Sequence, residues 1–256
     1  MSTEPIQLIT VEDRSAELSS DDVFNVVWAV NHQVVFHYGR SAWVTQGLAP
    51  RAHVVYLQPK MVPPPGAWNL ILMDHSDQQG ALGYHQDENG TDIPYAEVFV
   101  MDTLQDGSTV SAVASHEALE MLVDPDVSTV RTQLREDTQE LYIVEACDAV
   151  QGCDYDVGAP EGRVTGTKVS DFCLPSWWTM EPSGAPYSFR NSVAAPWELA
   201  PQGYISTALA SDPNKWRHVF GSQMDSLPRW ASRLPRIHGP APAAPATPPA
   251  PTGAVV

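Results

Sequence analysis

The distribution of apolar and polar positions predicts a layered α/β arrangement in the first half of the chain. A short apolar run over 6–11 is of strand type. Ser19, Ser20, Asp21 and Asp22 then supply a cap and an acidic first turn, after which Val23, Val27, Val30 and Val34 recur at helical spacing. A helix is predicted from there to about Tyr38, with Gly39 placed to end it. The runs at 52–58 and 68–73 read as strands, and the proline-rich stretch 59–66 between them cannot be regular structure. Residues 74–92 read as a long polar loop. Residues 94–101 read as a fourth strand, whose leading Pro94 suits an edge position or a strand start. Asp106, Gly107 and Ser108 turn the chain into a helix over 111–125, capped by Ser108 or Thr109. A buried strand layer, one helix behind it and a second below the edge strand make an α/β sandwich.

The second half is richer in loops. Residues 141–147 read as a strand ending at Asp148, and 163–172 alternate between polar and apolar positions. Trp177, Trp178, Trp197, Trp216 and Trp230 are expected to pack as core or to seal the lower side of a cleft. From Gly239 the chain is Pro/Ala-rich and is expected to be extended and unpacked. The expected division is an N-terminal subdomain over 1–128, a loop-rich C-terminal subdomain over 129–236, and a disordered tail over 237–256.

Composition narrows the function classes. With 256 residues, 43% of them hydrophobic, the chain can bury a large core. Its net charge of -17, from 31 acidic and 14 basic residues, argues against nucleic-acid or anionic-membrane partners. No basic segment leads into an apolar one at the N-terminus, and no apolar run approaches membrane-spanning length. A cytoplasmic location is therefore expected, with association with a virion as the alternative. Cys147, Cys153 and Cys173 are odd in number and form no CxxC pair, so they read as reduced thiols. His32 and His37 repeat no ligand spacing and read as packed or surface histidines. The sequence carries no signal for an oligomeric state.

The chemistry concentrates in SHEALEMLVDP. On a helix, His116 and Glu120 stand one above the other with Glu117 beside them, and the positions around them are almost all apolar. In HExxH helices two histidines bind zinc and the intervening glutamate acts as general base on the metal-bound water. Here Glu120 replaces the second histidine. A carboxylate can ligate zinc, but it leaves a weaker Lewis acid and opens the site to manganese, iron or calcium. Glu145 in VEACD, 25 residues beyond Glu120, is the expected third ligand, with Asp148 as the alternative or as a group that orients a ligand. Asp124 lies too far along the helix to share one small ion with His116, so it is expected to cap or to orient.

The set GALGYH, PYAEVFV, ASHEALEMLVDP, IVEACDAVQ and VSDFCLPSWW resembles an uncharacterised family of bacterial and bacteriophage proteins. More distantly it is similar to plant exordium-type proteins and other zincin-like chains. The resemblance covers about 70–178 and implies a zincin-like fold: a mixed sheet with an antiparallel edge strand, a backing helix and an active-site helix. It implies a metallopeptidase acting on a peptide or protein substrate. His85 matches the family's GYH element, as a transition-state donor or a further ligand. Two classes follow. One is a zinc-dependent peptidase in which His116, Glu120 and Glu145 hold the ion and Glu117 is the base. The other is a catalytically inactive binding or virion-associated structural protein with a structural ion.

Overall fold

A computed structural model describes residues 6–78, 80–87, 93–135, 138–158, 167–179 and 184–221. The expected tail over 237–256, Trp230 and the start of the 163–172 segment lie outside the described residues.

Strand β1 (Gln7–Asp13) leads into α1 (Ser20–His32), where Ser19 and Asp22 form a reciprocal capping box. Val23, Val26, Ala29 and Val30 make the buried stripe of α1. The helical path continues through a π turn over Gln33–His37 and a 3-10 turn over Tyr38–Arg40, so the predicted passage through Tyr38 is present with altered winding. The short α2 (Ala42–Thr45) precedes β2 (Ala52–Leu57) and β3 (Trp68–Met73). Then come β4 (Gly83–Asp87), β5 (Pro94–Phe99), α3 (Val100–Asp106) and α4 (Val110–Val123).

These strands form one mixed sheet in the order β2-β1-β3-β5-β4, parallel except for the antiparallel pair of β4 with β5. Two expectations are corrected here. The supposed loop over 74–92 contains β4, and β4 rather than the Pro94 strand forms the edge. Pro94 is tolerated inside the sheet because the ladder to β3 begins one residue later, at Tyr95 paired with Asn69. The strand also ends two residues early. Val100 and Met101 belong to α3, which Gly107 closes in the left-handed region at φ 83°.

Beyond α4 the chain builds a second, antiparallel sheet in the order β11-β10-β7-β6. Its strands are β6 (Val130–Arg135), β7 (Thr138–Ile143), β10 (Tyr204–Leu209) and β11 (Asp212–Phe220). A small pair, β8 (Asp154–Asp156) with β9 (Lys168–Ser170), lies between them in sequence. The strand expected over 141–147 stops at Ile143, and the chain from Val144 to Cys147 is irregular.

One apolar cluster runs through both halves. Ile9, Leu72 and Val98 of the first sheet and Leu119 and Leu122 of α4 pack with Tyr142, Phe172, Trp177 and Ile205. Each such buried side chain stabilises the fold by roughly 1.5–3 kcal/mol relative to exposure. Trp177 and Trp178 are buried and meet Trp197 edge-on or tilted, and none of the three lines the cleft, so these tryptophans are core, while Trp216 on β11 is not part of the core. No helix among the described residues is long and apolar enough to cross a membrane.

Candidate metal centre

Helix α4 sorts its residues by face. Ala114, Ala118, Leu119, Met121 and Leu122 enter the core. Ser115 and Ser111 tie the helix to β9, through Ser170 N–H donating to Ser115 Oγ at 2.8 Å and Ser111 Oγ donating to the Lys168 carbonyl at 2.7 Å. His116, Glu117 and Glu120 remain, and they line a cleft of about 160 Å³. Gly83 and His85 of β4, Glu145 and Asp148 from the segment after β7, and Tyr204 and His218 of the second sheet complete its walls. Gly83 is there because nothing larger fits: a Cβ at this position would stand 2.7 Å from Glu117 Oε1 and 2.8 Å from Val113 Cγ1.

Every residue expected at the site from sequence reaches this cleft. His116 Nε2 lies 3.2 Å from Glu120 Oε2 and 3.4 Å from Asp148 Oδ1. Donor atoms around a tetrahedral zinc ion, each ~2.0–2.1 Å from the metal, stand about 3.3 Å apart, a spacing these two separations match, as hydrogen-bonded pairs also do. His85 Nδ1 lies 3.6 Å from Glu117 Oε2 and 3.9 Å from Glu120 Oε2, and its Nε2 lies 3.8 Å from Glu145 Oε2. Glu145, expected beside His116, therefore reaches the cleft on the His85 side, while Asp148 meets His116. Two sets of three donors have all their ligand atoms within 4.8 Å of one another: His116 with Glu120 and Cys147, and His85 with Glu120 and Glu145.

Glu120 is held by the other half of the molecule. Its Oε1 accepts from the backbone N–H groups of Cys147, at 3.0 Å, and Asp148, at 3.2 Å. Oε2 is thereby left to the imidazoles. Asp124, fully buried, accepts from the N–H groups of Ser128 and Thr129 at 3.1 and 2.9 Å, and its own carbonyl accepts from His85 Nε2 at 3.0 Å. It caps the turn after α4, and its carbonyl orients His85.

The electrostatics are those of a buried acidic pocket. Burial pushes the Glu145 carboxyl well above the usual range, and the negative charges of Glu120 and Asp148 push it further. Burial likewise raises Glu120, against the pull of His116. Burial alone would lower the two histidines. For His116 the charge of Glu120 and hydrogen bonds with Asp148 and Glu120 reverse this and leave it well above its ordinary value, and for His85 Glu117 and Glu120 do the same. Glu145 Oε2 is buried with no hydrogen-bond partner among the described residues. A pocket with this excess of anionic groups binds protons or a cation, and its oxygen, nitrogen and sulfur donors fit a divalent ion.

Sequence reasoning missed two groups that line the cleft, Tyr204 and His218, and one beside it, Cys147. Cys147 was set aside as an ordinary thiol, yet its Sγ stands among the donors of His116 and Glu120, and its place inside VEACD was the available signal. Tyr204, hydrogen-bonded with Asp148, is raised well above its ordinary value by burial and by the charge of Asp148, so it stays a protonated donor. His218 Nδ1 meets Ser206 Oγ at 3.1 Å, and burial lowers this histidine. The last two stand on strands that the pattern of the second half did not reveal. Comparison with protein-family models, curated proteins and solved structures finds no match.

Proposed function

We propose that the chain is a metal-dependent hydrolase of zincin-like architecture that acts on peptide bonds. The observation that carries this reading is the convergence of His116 and His85 on Glu120 Oε2, with Glu117 beside them in a buried cleft. The mixed sheet with its antiparallel edge strand, and the motif helix that lines the same cleft, support the zincin-like assignment. His116 and Glu120 would hold the ion, with Asp148 or Glu145 as the acid from the later half. Zinc suits the tight His116 side, and manganese, iron or calcium suit the carboxylate-rich remainder.

A divalent ion held there would supply Lewis acidity and would acidify a bound water. Glu117 would be the group to accept a proton there: its carboxylate is buried and faces His85, and Gly83 leaves it room where any Cβ would clash. Edge strand β4 offers its outer main chain to an extended peptide, since its only strand neighbour among the described residues is β5. Tyr204 adds a protonated donor on the opposite wall. Glu117→Gln is expected to keep its metal, read by elemental analysis, and to lose about 10²-fold or more of its turnover on a mixed peptide library. Unchanged cleavage removes Glu117 from the mechanism.

A second reading is favoured by the origin of the donors, which come from β4, α4 and the segment after β7. An ion so placed clips the later half onto the motif helix, as a binding or virion-associated structural protein would use it. Under that reading a chelator lowers the melting temperature, and the metal-loaded wild type cleaves no peptide.

A further inference from the structure

A single ion between His116 and Glu120 leaves a second group of donors unexplained. The side chain of His85 on β4 is only 3% exposed. Its Nε2 lies 3.0 Å from the Asp124 carbonyl oxygen and donates to it, since a carbonyl only accepts, so Nδ1 is the nitrogen left for a proton or a cation. Nδ1 faces Glu117 Oε2 and Glu120 Oε2 at 3.6 and 3.9 Å, so these three atoms need a proton or a cation between them. Glu145 Oε2, 3.8 Å from Nε2, is buried and without a hydrogen-bond partner among the described residues, and one ligand atom each of His85, Glu120 and Glu145 lie within 4.8 Å of one another. His116 repeats the pattern, with Nε2 facing Glu120 Oε2 and Asp148 Oδ1. Glu120 Oε2 thus has an imidazole nitrogen from each of two elements within 3.9 Å. The two compact donor sets share Glu120 and no other residue.

Charge points the same way. Four carboxylates, those of Glu117, Glu120, Glu145 and Asp148, face the two imidazoles. When all four are ionised, one divalent ion leaves two negative charges uncompensated in a buried cleft, whereas two ions balance all four. Ions that share a bridging carboxylate sit about 3.5–4 Å apart and stabilise both the attacking and the leaving oxygen of a displacement.

We propose that the chain binds two divalent cations bridged by Glu120, one held by His116 with Asp148 or Cys147 and the other by His85 with Glu145. This rests on the reading of His116 and Glu120 as metal ligands. The test is titration of the metal-stripped full chain with Mn²⁺, with bound metal read by elemental analysis and the paramagnetic resonance spectrum followed in parallel. Wild type is expected to saturate at two equivalents, and the six-line signal of an isolated ion should broaden and weaken as the second enters. His85→Ala and Glu145→Gln should each saturate at one equivalent and keep the isolated signal. Glu145→Gln is isosteric, so it decides the matter where His85→Ala fails to fold. Saturation of the wild type at one equivalent, lost in His116→Ala, overturns the second cation and leaves the hydrolase reading standing. A wild type that binds no Mn²⁺ and no Zn²⁺ overturns both.

Discussion

In the first half of the molecule the site residues His116, Glu117 and Glu120 stand on a regular helix, and its remaining faces are fixed by Leu119, Met121 and Leu122 in the core and by Ser111 and Ser115 against β9. In the second half, Glu145 and Cys147 lie on irregular backbone after β7, and Asp148 opens a 3-10 turn. That segment takes its shape from the first half, because the N–H groups of Cys147 and Asp148 donate to Glu120. One region presents its candidate ligands on a scaffold of its own. The other presents them on a segment that must dock first. Binding an ion and docking the later segment should therefore be one linked equilibrium, with Glu120 in both parts of it.

Two substitutions at Glu120 break the comparison and should produce the largest effect. Glu120→Ala leaves two buried N–H groups without an acceptor, each worth about 1–3 kcal/mol, so a loss of about 2–6 kcal/mol in denaturant unfolding is expected together with loss of bound metal. Glu120→Gln keeps an amide oxygen where Oε1 accepts and should recover most of that stability without recovering metal. If both variants unfold at the same midpoint, the docking role assigned to Oε1 is wrong.

The same contrast explains what could be seen in the sequence. Helix α4 was legible because its apolar positions surround a His and two Glu residues at helical spacing, and β1, β2 and β3 were legible as apolar runs. Strand β4 was not, since GYHQD is half polar and its pairing to β5 comes from register rather than from hydrophobic alternation. In the second half, β6 was missed and the strand expected over 141–147 lies earlier, over Thr138–Ile143. The pattern cannot report that Glu145 and Cys147 leave the ladder to meet α4. Strands β10 and β11 escaped notice because β11 is largely exposed and offers no buried periodicity. The candidate residues were legible as a set, and their pairing was not: the sequence spacing sends Glu145 to His116, whereas the fold sends Asp148 there and gives Glu145 to His85.

A smaller effect is expected at Gly83, where the edge strand touches the motif helix. The Cβ of Gly83→Ala would fall 2.7 Å from Glu117 Oε1 and 2.9 Å from Glu117 Cγ, so Glu117 or β4 has to move. Overpacking of this kind costs about 1–3 kcal/mol. Turnover should drop about ten- to a hundredfold with metal content unchanged, since neither His116 nor Glu120 touches the new methyl. A variant with full turnover would show that the position of Glu117 does not matter to the reaction.

The pH dependence of the chelated chain sharpens the linkage. Glu120, Glu145, His116 and His85 all have folded-state values above their ordinary ones, so the folded chain binds more protons than the unfolded chain. The histidine contribution is fully present below about pH 6.5 and is lost as pH rises through the raised folded values. The two carboxyls act in the same direction, since the folded chain resists their ionisation above about pH 4.5. Denaturant midpoints measured in a chelator should therefore fall steadily from pH 5 to pH 8. With metal restored the trend should flatten or reverse, because the cation replaces the protons. Parallel profiles with and without metal would separate these groups from the ion.

The smallest effect belongs to the outer hairpin of the second sheet. Arg217 Nη2 lies 3.1 Å from Glu140 Oε1 and joins β11 to β7, but the arginine side chain is 60% exposed. Solvent and salt screen such a pair, so Arg217→Ala should cost no more than about 0.5–1 kcal/mol, and less at high ionic strength. Metal content and turnover should not change, because this hairpin meets the cleft through Tyr204, Ser206 and His218, on faces that the arginine does not support. A loss of metal on Arg217→Ala would mean that the whole second sheet, and not only the segment docked on Glu120, sets the geometry of the ligands.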